Sequence, residues 1–215
     1  MKEEIKAILF DKDGVLIDSF ESCFTSFNET LTHYRRKNIP RERYLKNYWG
    51  NKAENNLQKL FNEEKQEKIK RILDHYASRR EANIYLTKIY INTVPVLKKL
   101  ENKYRLGIVT NTSKDLTMEI FKKLNLLEYF DIVVTGDMGT PKPAPDLILK
   151  ACEGLNVTTE QAVFLGDTEA DVNAGKAARI QTLIIRSTLN KHLPKKYEDI
   201  IFIKDIADIL NYVTV

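Results

Sequence analysis

The sequence predicts an α/β protein: a doubly wound, Rossmann-like core on a mainly parallel sheet, with an inserted all-helical cap domain. Short apolar runs rich in β-branched residues recur along the chain, and helical patterns separate them. Between the first two runs lie roughly 90 residues without a convincing strand, far more than a crossover needs. Alternating strands and helices are typical of βαβ units, whose strands form a parallel sheet covered by helices.

The strands of the core are expected to be short and largely buried. Their predicted ranges are 5–10, 105–110, 131–135, 162–166, 182–186 and 200–203. Each run lies near a segment whose apolar residues recur at helical spacing, as expected for a sheet flanked by helices.

The long segment after the first strand is predicted to be helical. Its apolar spacing indicates amphipathic helices near 19–37, 41–48, 53–61 and 63–83. We therefore expect a core domain formed by 1–18 and 92–215, and a helical cap domain formed by 19–91.

Composition and charge limit the classes of function open to the chain. Its 215 residues are 43% hydrophobic and 30% charged, and the sequence has no apolar run long enough to span a bilayer. The first residues lack the long apolar region of a signal peptide, which predicts a cytoplasmic location without a membrane partner. The net charge of +4 is spread along the chain, which argues against nucleic acid and suits a small anionic ligand.

Residues that can carry chemistry cluster at the ends of the predicted strands. They are Asp11 and Asp13 after the first strand, Thr110 and Asn111 after the second, Lys142 in the loop after the third, and Asp167 with Asp171 after the fourth. In a doubly wound sheet the carboxyl ends of the strands form one edge, and ligands bind in the crevice there. These side chains are therefore expected to line one site.

This set of residue types suits phosphoryl transfer. A carboxylate that attacks a phosphate ester meets a like charge, and two unit charges at 4 Å repel by about 4 kcal/mol at an effective dielectric constant of 20. Clustered aspartates offer the hard oxygen ligands that Mg²⁺ prefers, and a lysine adds a second positive charge. Other aspartates are then available as nucleophile and as acid or base.

Four segments resemble, in order, the signature motifs of the haloacid dehalogenase-like hydrolases. They are FDKDGVLIDS, VTNTS, KPAPD and GDTEAD, and they span residues 10 to 171. The helical insert directly after the first motif resembles the type-1 cap of the phosphoglycolate phosphatase and β-phosphoglucomutase branch. The resemblance covers nearly the whole chain and implies the same core and cap.

The resemblance also implies a role for each matched residue. Asp11 is similar to the nucleophile that becomes an aspartyl-phosphate, and Asp13 to the acid that protonates the leaving alcohol and then activates water. Thr110 and the backbone of Asn111 resemble the group that holds the phosphoryl oxygens. Lys142 resembles the cation that neutralises nucleophile and phosphate.

A Mg²⁺ cofactor is implied in the same way. Asp167 is similar to a direct ligand of the ion, with Asp11 and the carbonyl of Asp13 as the others. Asp171, four residues after Asp167, shares a helix face with it if a helix begins there. The resemblance leaves open whether Asp171 contacts the ion itself.

Departures from the family narrow the reaction. Asp13 stands where dehalogenases of the family carry an aromatic residue and phosphonatases a small one, which favours phosphate ester chemistry. The segment 19–24 lacks the histidine usual in the mutases. We expect a phosphatase acting on small phosphorylated metabolites, with phosphoglycolate as the first candidate. The alternatives are an inorganic pyrophosphatase, a sugar-phosphate mutase and, from another class, a receiver-like or non-catalytic phosphate-binding module.

The choice of substrate is expected to depend on the insert. The stretch YWGNKAENNL, with Gly50 in a turn between two helices, resembles the substrate-specificity loop of the family. The resemblance implies that Gly50, Asn51 and Lys52 bind substrate, with Asn51 or Lys52 reaching the leaving group. A plain turn between two helices explains the same residues equally well.

Overall fold

The computed structural model describes residues 4–49, 51–188 and 190–213. The chain divides into two compact units, Met1–Asp18 with Ile89–Val215 and Ser19–Lys88. We name them the core unit and the helical unit. The second division falls after Lys88, close to the boundary expected after residue 91.

A six-stranded sheet forms the centre of the core unit. In chain order, the strands of the described residues are β1 (Ala7–Phe10), β2 (Ile17–Asp18), β3 (Lys88–Ile89), β4 (Arg105–Val109), β5 (Ile132–Val134), β6 (Ala162–Gly166), β7 (Gln181–Ile185) and β8 (Ile201–Ile203). The large sheet has the order β5-β4-β1-β6-β7-β8, and all its neighbours pair in parallel. The prediction of a doubly wound parallel core is confirmed.

Helices accompany the large sheet along the chain. They are α5 (Thr93–Leu100), α6 (Lys114–Lys123), α7 (Asp146–Gly154), α8 (Glu169–Ala178) and α9 (Leu193–Lys196). Every residue of β1 and β6 is buried, as expected where both faces of a parallel sheet are covered. The order of the strands reverses between β1 and β6, so the crevice that binds ligands in such folds lies at the carboxyl end of β1.

The helical unit consists of α1 (Phe20–His33), α2 (Arg41–Asn47), α3 (Ala53–Leu60) and α4 (Gln66–Ala82). A cluster of aromatic rings fills its interior, with Tyr44 in contact with Phe20, Phe24 and Phe27. Polar contacts also join α1 to α4, since the buried Arg80 donates a hydrogen bond of 2.5 Å to the Ser22 hydroxyl.

Some details of the prediction are wrong. Helix α1 ends at His33 rather than near residue 37, because Arg35 adopts a left-handed φ of 56° that stops the helix. Helix α4 begins at Gln66 rather than near residue 63, because the backbone of Lys65 is extended, with ψ at 148°. Strands β2 and β3, which form a separate two-stranded sheet, were not expected because two residues are too few to show a period. Among the described residues, none of the helices is both long and apolar enough to cross a bilayer.

Candidate active site

Two strand ends set the backbone positions of Asp11, the candidate nucleophile, and of Thr110. The backbone N–H of Asp11 donates to the carbonyl of Leu165 at 2.7 Å, which extends the pairing of β1 with β6 by one residue. The backbone N–H of Thr110 donates to the carbonyl of Val134 at 3.0 Å, which does the same for β4 and β5. Both side chains therefore start from backbone that the sheet holds, and both residues are buried.

Lys142 links two aspartates inside the core unit. Its Nζ lies 2.9 Å from Asp11 Oδ1 and 2.6 Å from Asp171 Oδ1, and it also donates to the carbonyl of Val109 at 2.9 Å. Asn111 fixes the lysine backbone, since its amide donates to the Lys142 carbonyl at 2.9 Å and accepts from the Lys142 N–H at 2.8 Å. The ammonium is thus held between a carboxylate at the end of β1 and one in the first turn of α8.

Burial sets the electrostatics of this cluster. It raises the pKa of Asp11 to about 7, with Lys142 opposing the rise and the charge of Asp171 adding to it. Burial lowers the pKa of Lys142, but Asp11 and Asp171 outweigh burial and hold it above its usual range. Burial also raises the pKa of Asp167. One lysine does not offset the carboxylates around it, so the cluster favours a further cation.

The carboxylates fit such a cation. Asp11, Asp167 and Asp171 each offer an oxygen, and these oxygens lie within 4.8 Å of one another. Asp167 Oδ1 is buried and has no hydrogen-bond partner among the described residues, a costly arrangement that a bound cation would relieve. Hard oxygen donors are the ligands that Mg²⁺ prefers in proteins.

Asp171 differs from the other two carboxylates because the protein already engages both of its oxygens. Oδ1 pairs with Lys142. Oδ2 accepts the N–H groups of Asp167 at 3.2 Å and Thr168 at 2.9 Å, and the Thr168 hydroxyl at 2.5 Å. The Thr168 hydroxyl accepts in return from the Asp171 N–H, which forms a capping box at the start of α8. Asp11 and Asp167 are therefore the better candidates for direct contact with a metal.

Gly14 and Asn190 shape the site around Asp167. Gly14 has φ at +80°, and a Cβ at this position would lie 2.0 Å from Asp167 Oδ2. The buried Asn190 amide donates to the carbonyls of Asp167 and Ile185, each at 2.7 Å. These contacts fix the loop that carries Asp167.

Asp13 lies beside the β4 end of the site and contacts Lys12 and Thr112. Lys12 Nζ donates to its two carboxylate oxygens at 2.7 and 2.6 Å, and the Thr112 hydroxyl donates to Oδ2 at 3.3 Å. The Thr112 N–H donates to the Thr110 hydroxyl at 3.2 Å. The Asp13 side chain keeps 20% of its surface exposed, so a ligand can reach it.

Sequence reasoning missed Lys12, Thr112 and Asn190. Lys12 lies within FDKDGVLIDS and Thr112 within VTNTS. Their position inside these motifs was the signal that could have identified them as site residues. Asn190 belongs to no motif, and its side chain bonds to backbone groups: it donates to the carbonyls of Asp167 and Ile185 and accepts the N–H of Ser187. The sequence therefore offers no comparable signal for it.

The residues predicted to select the substrate are consecutive in the sequence, at positions 50–52. Asn51 is exposed in the helical unit and its amide donates to the carbonyl of Asn47 at 3.4 Å. Lys52 is the residue that precedes α3. Gly50 lies outside the described residues. The role of all three stays a prediction.

The chain is similar to known proteins in sequence and in fold. The family model described as haloacid dehalogenase-like hydrolase matches residues 8–185. A phosphoglycolate phosphatase of Aquifex aeolicus is 34% identical over 187 residues, 84% of each chain. A putative pyrophosphatase PpaX of Clostridium perfringens is 30% identical over 190 residues, 86% of this chain and 85% of the relative. The fold is similar to that of CbbY from Rhodobacter sphaeroides in complex with phosphate, with a TM-score of 0.85, 23% identity, and coverage of 95% and 96%.

Proposed function

Because the chain belongs to the haloacid dehalogenase-like hydrolase family and is a phosphoric monoester hydrolase, we propose that it hydrolyses small phosphorylated metabolites through an aspartyl-phosphate on Asp11. One observation carries this proposal. The buried carboxylate of Asp11 at the end of β1 forms an ion pair with Lys142. It also lies close enough to the carboxylate of Asp167 for both to bind one metal ion. That is the arrangement a carboxylate nucleophile needs in order to approach an anionic substrate.

In the first half of the reaction, an oxygen of Asp11 forms a bond to phosphorus and the ester P–O bond breaks. Asp13 gives its proton to the departing alkoxide. Lys142 offsets the negative charge of the nucleophile, while the Thr110 hydroxyl and the Asn111 backbone N–H donate to phosphoryl oxygens.

In the second half, water attacks phosphorus of the aspartyl-phosphate. Asp13, now ionised, accepts a proton from this water, and the bond between phosphorus and the Asp11 oxygen breaks. Inorganic phosphate leaves, the Asp11 carboxylate is restored, and Asp13 is again protonated for the next substrate.

Mg²⁺ fits the carboxylates of Asp11 and Asp167, and we propose the carbonyl of Asp13 as a further ligand. When bound, the ion offsets the charge of the phosphoryl oxygens and so reduces a repulsion of about 4 kcal/mol per charge pair at 4 Å. Asp171 does not contact the ion in this proposal. It forms an ion pair with Lys142 and caps the start of α8.

For the substrate, the leading proposal is phosphoglycolate, because the Aquifex aeolicus relative is a phosphoglycolate phosphatase. Inorganic pyrophosphate is the second candidate, because the Clostridium perfringens relative is named a putative pyrophosphatase. We propose that residues 19–91 act as the cap that chooses between them, with Gly50, Asn51 and Lys52 as substrate-binding residues and Asn51 or Lys52 reaching the leaving group. We also propose that the enzyme works in the cytoplasm.

A phosphate-release assay tests the proposal. Wild type and Asp11→Asn, purified in parallel, are each incubated with phosphoglycolate, sugar phosphates or pyrophosphate in Mg²⁺ or in EDTA. The activity of the Asp11→Asn sample sets an upper limit on the activity of any contaminating phosphatase. We expect release that needs both Mg²⁺ and Asp11. Conversion of a sugar phosphate into its isomer without release would instead identify a mutase, and an inert protein would favour a non-catalytic phosphate-binding module.

A further inference from the structure

Lys12 is a fully buried lysine whose ammonium lies against the carboxylate of Asp13. None of its surface is exposed, and Nζ lies 2.7 and 2.6 Å from the two oxygens of Asp13. Its carbonyl accepts the N–H groups of Leu16 and Ile17 at 3.1 and 3.2 Å, which fixes the backbone of this loop. A buried ammonium is costly unless it is paired, so the contact with Asp13 is a defining feature of the residue.

The two buried lysines of the site contact different aspartates. Lys142 pairs with Asp11 and Asp171, whereas Lys12 pairs with Asp13. Because Lys12 has no exposed surface, it is shielded from a substrate and acts on the reaction through Asp13.

The contact constrains how Asp13 is oriented. The terminal torsion of an aspartate is broad when nothing holds it. Here the ammonium contacts both oxygens and the Thr112 hydroxyl contacts one of them, which together fix the plane of the carboxylate. A general base must be held within hydrogen-bond reach of the proton that it takes.

We propose that Lys12 is a positioning residue that holds the Asp13 carboxylate in the orientation from which it activates water on the aspartyl-phosphate. The inference rests on the proposed function, because it assigns Lys12 to the second half of that reaction. Loss of Lys12 therefore slows hydrolysis of the phosphoenzyme more than its formation.

Pre-steady-state kinetics with p-nitrophenyl phosphate separate these two steps, since a nitrophenolate leaving group needs no proton from Asp13. The variants are Lys12→Met, Lys12→Arg, Asp13→Asn and the double variant Lys12→Met/Asp13→Asn. Lys176→Met is the matched control, because it removes an exposed ion pair of 2.8 Å with Asp199 outside the site.

For Lys12→Met we expect a nitrophenolate burst that matches the number of sites, followed by a kcat lowered about 10²-fold, within the range for a positioned acid or base. KM should fall together with kcat, so that kcat/KM stays near wild type. Lys12→Arg should recover most of the lost rate, and Lys176→Met should turn over like wild type.

The double variant removes both charges and therefore stays testable if Lys12→Met alone does not fold. If Lys12 acts through Asp13, the double variant turns over no slower than Asp13→Asn, because the two losses do not add. A lowered burst with equal loss of kcat/KM in Lys12→Met, or full additivity in the double variant, would overturn the role of Lys12. Absence of a phosphoenzyme even in Asp13→Asn would overturn the two-step mechanism and the inference with it.

Discussion

Replacing Lys142 by methionine removes a positive charge from between two buried carboxylates while keeping an unbranched side chain. Nζ lies 2.9 Å from Asp11 Oδ1, a separation at which one charge pair is worth about 6 kcal/mol at an effective dielectric constant of 20. Because part of this attraction is offset by desolvation, we take the cost of losing one preorganised donor, about 3 to 4 kcal/mol, as the expected loss of transition-state stabilisation. Phosphate release by Lys142→Met should therefore fall about 10²- to 10³-fold in kcat.

The same substitution also affects stability, and the assay must separate the two effects. Breaking a buried ion pair costs about 3–5 kcal/mol, so the free energy of unfolding is measured beside kcat. Adding Asp171→Asn to Lys142→Met removes the second unpaired charge and should restore stability without restoring turnover. Lys176→Met is the control for loss of an exposed lysine. A folded Lys142→Met that keeps kcat within about tenfold of wild type would show that the Lys142 charge does not stabilise the transition state.

The protonation of Asp11, the close packing of Gly14 and the hydrogen bond from Asn190 can each be tested separately. Burial raises the pKa of Asp11 from 3.8 to about 7. Between these pH values, in EDTA, the folded state keeps a proton on Asp11 that the unfolded state has released. The free energy of unfolding should therefore fall as the pH rises from about 4 to about 7. Thermal melts of Asp11→Asn should show a shallower fall, and an unchanged slope would contradict the assignment. Gly14→Ala should lower the free energy of unfolding in urea by about 1–3 kcal/mol, because alanine is strained at φ +80° and its Cβ would meet Asp167. An unchanged free energy of unfolding would count against the close packing of Gly14 on Asp167. Asn190→Ala should weaken Mg²⁺ binding in calorimetry because the carbonyl of Asp167 loses its donor, and an unchanged affinity would reduce Asn190 to a purely structural role.

Most of the core was predictable because its elements follow local rules. Apolar runs of four or five residues between helical patterns predict buried parallel strands, and the observed β1 and β6 agree closely with the expected ranges. Asp11, Thr110 and Asp167 come directly after such runs, where the ligand crevice of a doubly wound sheet forms. Lys142 and Asp171 lie farther along the chain, so the resemblance to the family motifs was the stronger signal for them.

What the sequence did not reveal depends on contacts between distant segments. Lys12, flanked by two aspartates, carries no local signal that its ammonium is buried, because burial depends on what the rest of the chain packs against the loop. Asn190 bonds to backbone carbonyls, which every residue has, so no pattern of side chains marks its partners. Strands β2 and β3 have two residues each, too few for a period of two to be recognised.

The proposed mechanism depends on covalent phosphorylation of Asp11. The direct measurement is an acid quench of Asp13→Asn during turnover of a ³²P-labelled phosphate ester, followed by digestion and mapping of the label. We expect label on the peptide that carries Asp11. Hydroxylamine should release it, as expected for an acyl phosphate, and Asp11→Asn should abolish it. Label on another residue, or steady release of phosphate from Asp11→Asn at the wild-type rate, would contradict the proposed mechanism.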